Sequence, residues 1–242
     1  MTKPGSDIYD PAFVREVFDR CSGKYIAFSY ICSMGFTKRW RRQCVAALAL
    51  PPGARSGYDL MAGTGEVWPH LIAANPKIDR IIAVDISSGM HQRAIERLHA
   101  MRANRIEFIE DDVLVSDLPD ASADFVISTF GLKTFNPQQQ QRLAALTARV
   151  LKPGGRFAFI EASDPKGWAF RWLYLLYLKV VLPLIERLFM RGAQDFSMIG
   201  SYTSNFGDAR SFTAMLGNAG LEADFRKAFF GCATIASGSK PL

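Results

Sequence analysis

Acids and glycines spaced along the first half of the chain carry the chemistry that this sequence can do. Asp59 stands near the end of a short apolar run, and Gly63 and Gly65 follow it with one residue between them. Glycine lets the backbone turn at positive φ and leaves room for a ligand where a Cβ would collide. An acid ahead of such a turn accepts hydrogen bonds from an amine-bearing or cationic ligand and repels a pyrophosphate. The pairing therefore suits a sulfonium amino acid. A second acid, Asp85, closes the next apolar run, Arg80-Ile81-Ile82-Ala83-Val84, about 20 residues on, where a carboxylate typically meets ribose hydroxyls. Asp112 follows the third run, with Asp111 and Glu110 beside it leaving the register open, and Ser128 and Thr129 end the fourth. Together these residues predict a site for an adenosine-type cofactor.

Positioning them requires strands whose ends meet. Short apolar runs at 58–61, 80–84, 106–109, 124–128 and 156–160 alternate with helical patterns near 67–74, 88–102 and 138–150. Ser87 or Ser88 can cap the second of these helices, and the Leu151 to Gly155 stretch reads as a turn. Strands separated by helices of this size predict a parallel sheet with right-handed crossovers, in which ligands sit outside the carboxyl ends of the strands. Asp59, Asp85, Asp112 and Ser128–Thr129 all fall at those ends. A helix near 210–219 and strands near 222–229 and 234–236 complete the pattern, the last two suiting an antiparallel edge. The fold class is thus α/β: a Rossmann-like, seven-stranded, mostly parallel sheet with helices on both faces.

Two further regions frame this core. Residues 1–52 predict a helical cap, with Phe13, Val14, Val17 and Phe18 at helical spacing and Pro51-Pro52-Gly53 as its stop. Residues 168–190 are aromatic and leucine-rich. Arg171, Lys179, Pro183, Glu186 and Arg187 interrupt them, which argues for an amphipathic helix or helix pair rather than a membrane span. The expected division is a cap over 1–52, a cofactor-binding core over 53–162, a hydrophobic substrate-side insertion over 163–207, and a C-terminal helix and strands over 208–242, all in a single domain.

With 49% apolar and 21% charged residues, the 242-residue chain reads as globular. Its formal charge of +6 comes with no nucleic-acid reader motif, so no nucleic-acid partner is expected. The densest basic run, Lys38-Arg39-Trp40-Arg41-Arg42, is either a solvated helix face or a contact for a membrane or an anionic substrate. Cys21, Cys32, Cys44 and Cys232 lack metal-type spacing, so no metal is expected and the thiols read as reduced. The start of the chain lacks an apolar signal core. These features predict a cytoplasmic protein, peripheral at the inner face of the membrane where 168–190 touches it. A homodimer is left open.

Six pieces of the chain resemble the class I S-adenosylmethionine-dependent methyltransferases, and more narrowly the ubiquinone/menaquinone biosynthesis C-methyltransferase family. They are Phe18 to Tyr25 with Gly23-Lys24-Tyr25; Ser33-Met34-Gly35-Phe36 followed by Arg39-Trp40; Asp59-Leu60-Met61-Ala62-Gly63-Thr64-Gly65; Asp85-Ile86-Ser87-Ser88-Gly89-Met90; Phe130-Gly131-Leu132; and Val150 to Arg156. The resemblance implies S-adenosyl-L-methionine as cofactor. It implies that Asp59 and the backbone of Ala62, Gly63, Thr64 and Gly65 hold the methionine part, and that Asp85 takes the ribose hydroxyls. Ile86, Met90, Asp112 and Val113 would surround the adenine, Thr129 would lie near the methionine moiety, and Tyr25 and Arg39 would close over the cofactor from the cap.

The departures from the family pattern lie on the substrate side. Ile26 and Ser29 stand where relatives carry Asp and Asn, and Lys133-Thr134 replaces Arg-Asn; Met61 occupies the position of the superfamily's first glycine. The resemblance implies methyl transfer to a lipophilic quinone- or quinol-like acceptor. The departures keep open N- or O-methylation of a lipid or secondary metabolite, a non-methylating quinone modification such as rhodoquinone-type amination, and a non-catalytic cofactor-binding module. A nicotinamide enzyme is disfavoured, because Trp68 stands where the third glycine of the dinucleotide motif belongs. No general base announces itself. His70, His91, His99, Tyr25 and Tyr202 are the groups available, and Tyr25, His70 and Tyr202 are the catalytic candidates.

Overall fold

The computed structural model of the chain describes residues 7–101, 104–189 and 198–242. Seven strands form one sheet in the order β3-β2-β1-β4-β5-β7-β6. These are β1 (Ser56–Leu60), β2 (Arg80–Asp85), β3 (Ile106–Glu110), β4 (Ala123–Thr129), β5 (Leu151–Ala162), β6 (Glu222–Ala228) and β7 (Ala233–Ser239). The first five are mutually parallel, and β7 runs antiparallel to both β5 and β6. The predicted mostly parallel sheet with an antiparallel edge is therefore present. Its order reverses at β1 and β4, the kind of place where open α/β sheets bind ligands.

Helices cover both faces. On one, α2 (Phe36–Leu48), α3 (Trp68–Ala74) and α4 (Ser88–Met101) contribute Trp40, Cys44, Leu48, Trp68, Leu71 and Ala94 to a core with Ile81, Phe125 and Ile127 of the sheet. On the other, α5 (Pro137–Val150) and α9 (Arg210–Asn218) bring Leu143, Val150, Phe212 and Leu216 against Tyr58, Val126, Phe157 and Phe159. A capping box starts α5: the Asn136 side chain accepts from the Gln139 N–H, and the Gln139 side chain accepts from the Asn136 N–H, with Pro137 in the first turn.

The cap opens with one long helix, α1 (Pro11–Cys32), which continues without a break past residue 24. The sequence offers no breaker there until Gly35, which takes φ +77° between α1 and α2. The expected turn at 151–155 lies inside β5: Leu151 pairs with Ala123, and pairing resumes at Arg156 with Phe125. Gly154, at φ +76°, absorbs the extra residues of this bulge. The helix predicted over 88–102 is present over Ser88–Met101; Arg102 lies outside the described residues, as does Met190.

After β5 come α6 (Arg171–Leu176), a π-helical segment (Tyr177–Val181) and α7 (Leu182–Phe189), and after the undescribed residues α8 (Met198–Phe206). The inner side of this run, with Leu178, Leu182, Tyr174 and Tyr177, packs with Phe18, Cys21 and Tyr25 of α1 and with Met90. Among the described residues, no helix is long and apolar enough to cross a membrane.

Candidate active site

A single cavity opens where the carboxyl ends of β1 to β4 face α1. It encloses about 720 Å³ of empty space, counting the part continuous with solvent. One side is polar and comes from the strand tips: Gly63, Asp85, Asp111, Asp112 and Thr129. The other is apolar and comes mainly from the cap and from the segment after β4: Val14, Phe18, Tyr25, Phe130 and Phe135. Of the residues singled out in the sequence, Tyr25, Gly63, Asp85, Ile86, Met90, Asp112, Val113 and Thr129 line this cavity.

The acid at the β2 tip is fixed by backbone. Asp85 Oδ2 accepts from the Gly63 N–H at 2.7 Å and Oδ1 from the Ser87 N–H at 2.9 Å. Burial raises its pKa, and the two N–H donors work against that rise. Gly63 turns at φ +55° with no atom within 4 Å of where a Cβ would lie, so its open side faces the cavity. Asp112 sits in a turn of its own, its Oδ1 accepting from the Leu114 N–H at 2.9 Å.

Met61 takes the position where the superfamily has glycine and adopts φ +54°. Its side chain lies against Gly131, where a Cβ would come within 2.5 Å of the Met61 Cβ. Met61 therefore forms part of the cavity wall and leaves the cavity open. Phe130, also at positive φ (69°), is held by Lys133, whose Nζ donates to the Phe130 carbonyl at 2.9 Å and to Glu161 Oε1 at 2.7 Å. Glu161 Oε2 also accepts from the Lys133 N–H. Lys133 is thereby turned into the protein, while Thr134 beside it reaches the cavity.

The remaining predicted residues lie elsewhere. Asp59 is buried behind the glycine turn and accepts from the Trp68 indole N–H at 2.8 Å. Gly65 is glycine for packing: a Cβ there would lie 2.2 Å from the Trp68 ring. Ala62 and Thr64 form the turn without lining the cavity; the Ala62 N–H donates to the Val84 carbonyl, and the Thr64 carbonyl accepts from Arg97. Arg39 is exposed on α2 and does not reach the cavity, which corrects its expected place over the cofactor. Arg41, two residues on, is the arginine turned inward. It pairs with Glu66 and lies 5.1 Å over the Phe130 ring. Positions two apart on a helix point to nearly opposite sides, so a run of adjacent basic residues hid which arginine faces in.

Two catalytic candidates are also displaced. His70 is half-buried on α3 outside the cavity lining, and burial with Arg42, Lys38 and Arg41 nearby lowers its pKa. Tyr202 donates its hydroxyl to the Ile8 carbonyl at 2.6 Å, a packing role. Tyr25 does line the cavity, but burial, followed by the charge of Glu66, raises its pKa. Its phenol stays protonated at neutral pH and suits donating a hydrogen bond rather than removing a proton. Among the described residues no imidazole lines the cavity, and no cluster of His, Cys, Asp or Glu could hold a metal.

The residues fit a nucleoside with a charged amino-acid tail. Several buried polar atoms around the turn have no protein partner: Asp59 Oδ1, Thr64 Oγ1, Ser128 Oγ, Trp40 Nε1 and Arg41 Nε. Such atoms are rare in folded proteins and call for a polar ligand or water. Trp40 and Arg41 both contact Phe130, two residues beyond Ser128, and Asp59 pairs in register with Ile127. The unpaired atoms thus gather around the ends of β1 and β4, beside the acid-lined slot. The tips of β2 and β3 supply carboxylates for hydroxyl or amine donors, with Ile86, Met90 and Val113 as an apolar bed between them.

Comparison with known proteins places the chain in a family. A family model described as the ubiE/COQ5 methyltransferase family matches residues 6–240. A demethylmenaquinone methyltransferase of Bacillus cereus is 29% identical over 229 residues, covering 94% of this chain and 95% of its own. Among solved structures, the N-methyltransferase NodS of Bradyrhizobium japonicum, in complex with S-adenosyl-L-homocysteine, superposes with a TM-score of 0.59 at 16% identity, over 85% of this chain and 88% of its own. Human N-acetylserotonin methyltransferase in complex with SAM has the same TM-score of 0.59 at 19% identity, over 90% of this chain and 58% of its own. These two structural likenesses concern the fold.

Proposed function

The chain belongs to the ubiE/COQ5 methyltransferase family, and we propose that it methylates a ring carbon of a lipophilic quinol-like acceptor. Its cofactor is S-adenosylmethionine, as in the methyltransferases it matches. The observation that carries the acceptor reading is the two-sided cavity. Carboxylates and a glycine turn line one side, and Val14, Phe18, Tyr25, Phe130 and Phe135 line the other. An apolar wall of this kind suits a flat, greasy ring better than a sugar or nucleotide. The kinship with a demethylmenaquinone methyltransferase points the same way.

When bound, the cofactor supplies an electrophilic methyl group, so the protein is left to align, desolvate and exclude water. Asp85 would hold the ribose, and Ile86, Met90, Asp112 and Val113 would surround the adenine. The edge of the cavity at Gly63 and Thr129 would face the methionine tail, with Asp59 acting on it through charge from behind the turn. Tyr25 and Phe18 form the apolar wall against which the acceptor ring would lie. A second reading, the same cofactor with another acceptor, draws on Thr134: it lines the cavity where the family carries Asn.

The test is incubation with methyl-deuterated S-adenosylmethionine and separate acceptors: a demethylmenaquinol, a catechol and a lipid amine. A labelled methyl group on the quinol ring, read by mass spectrometry, is the expected result. Label on the catechol or amine alone, or a quinone changed without label, overturns the acceptor reading.

A further inference from the structure

The side of the α6–α7 run that faces away from the cavity is apolar. Phe170 (56% exposed), Trp172 (65%), Leu173, Leu176, Val180 and Leu184 all point to solvent. A second element joins them. Between β6 and β7 the chain turns through Phe229 and Phe230, both at positive φ (42° and 57°). Bulky residues rarely hold that conformation, and where they do the strain marks a site with a use. Here it turns Phe230 outward at 64% exposure. The two elements form one surface: Trp168 stacks on Phe230 at 5.3 Å, and Phe229 lies 6.1 Å from Trp168 and 4.3 Å from Phe36 at the start of α2.

We propose that this surface docks on an anionic lipid bilayer. The charges around it select that occupant. From residue 165 to 187 the exposed charged side chains are Lys166, Lys179 and Arg187, all basic. Of the nearby acids, Asp164 and Glu186 are buried and Asp208 is half-buried; Asp164 is paired with Arg171 and Asp208 with Arg210. Lys227 lies beside the aromatic turn, and Lys38 and Arg39 are exposed just beyond Phe36. An apolar face with Trp and Phe, rimmed by Lys and Arg, is the composition of a helix lying in the bilayer interface. Anionic headgroups attract the same rim. A second copy of the chain would set basic rims against each other in a two-fold contact, which disfavours self-association. The basic run at 38–42, left over by the catalytic account, gains a role here. The inner side of the same run packs on Phe18 and Tyr25 of the cavity wall. A docked protein therefore holds its cavity next to the lipid phase.

The inference goes beyond the acceptor reading, and its primary readout, sedimentation with vesicles, needs neither cofactor nor acceptor. Full-length protein is sedimented with vesicles of phosphatidylcholine alone and of phosphatidylcholine with phosphatidylglycerol. Binding to the anionic vesicles that weakens with added salt is expected. Trp172→Ser with Phe230→Ser, and separately Lys166→Glu with Lys179→Glu, should each lower the bound fraction at least about tenfold. Both should leave the melting temperature and S-adenosylhomocysteine affinity unchanged. Wild-type protein that ignores the anionic vesicles, or variants that bind as wild type does, overturn the proposal. So does a dimer in sedimentation equilibrium that the aromatic variant splits while vesicles stay unbound. Loss of vesicle binding with intact turnover of a short-chain acceptor would separate this outcome from a failed acceptor reading.

Discussion

Trp68 donates its indole N–H to Asp59 Oδ2 at 2.8 Å, and the pair is wholly buried behind the glycine turn. The acid that opens the motif is thus a partner of the tryptophan that ends it. Gly65 makes room for that ring. Asp59 reaches the site through charge: burial first, and then Asp85, raise its pKa to about 7, against the Trp68 hydrogen bond and Arg41.

That shift gives stability a pH dependence of definite sign. The folded chain holds a proton on Asp59 up to about pH 7, whereas an unfolded Asp loses it near pH 4, by about 3.9. The folded state therefore binds more protons in that window, and this group's contribution falls as pH rises from about 4 to about 7, then levels. Asp59→Asn keeps an acceptor for Trp68 and removes the buried charge. It should be more stable than wild type at pH 8, by at least about 1 kcal/mol, and close to it at pH 4.5 in denaturant titrations. A variant that loses stability at pH 8 contradicts this.

Met61 and Gly131 should behave as one unit. Gly131→Ala places a Cβ within 2.5 Å of the Met61 Cβ, and such overpacking costs about 1–3 kcal/mol. Met61→Gly relieves the positive φ and removes the obstacle. The double variant should recover most of the loss, a coupling that a double-mutant cycle measures directly. Additive losses would show that the two do not share the wall.

The Lys133–Glu161 pair holds the segment after β4. Both side chains are buried, so Lys133→Met strands a carboxylate and should cost about 3–5 kcal/mol. Combining it with Glu161→Leu should return much of that. If Lys133→Met alone is neutral in thermal unfolding, the pair does not anchor Phe130.

Arg41 and Arg39 separate the structure from the sequence reading. Arg41→Ala strands Glu66, removes the contact over Phe130, and should lower stability by about 1–3 kcal/mol while weakening S-adenosylhomocysteine. Arg39→Ala, at an exposed position, should stay within about 0.5 kcal/mol with unchanged affinity. Equal effects would restore the expected role of Arg39.

Much of this was legible beforehand, for identifiable reasons. Period-two and helical patterns are local, so the strands and their order along the chain could be read, and acids at strand tips fall together by topology alone. The glycine turn fixed Gly63 at the cavity. What escaped depends on tertiary contact. Whether Asp59 faces a ligand or Trp68 turns on a ring nine residues away, and which arginine of 38–42 points inward turns on helix phase against Phe130. The Leu151 to Gly155 stretch carries turn residues yet pairs at Leu151 with Ala123, a partner no local signal names. The strand predicted near 222–229 takes in Phe229, and only the backbone angles at 229 and 230 show that this aromatic pair turns out of the sheet.

The most direct test of the account is a calorimetric titration of S-adenosylhomocysteine into wild-type protein and Asp85→Ala, with NAD as control. Asp85 is the cavity acid held by both Gly63 and Ser87, and losing hydrogen bonds to a charged acceptor costs about 1.5–3 kcal/mol. The account predicts at least about a tenfold weaker adenosyl ligand, a melting transition that remains cooperative, and no heat from NAD. Unchanged affinity in a folded variant, or binding of NAD instead, would contradict it.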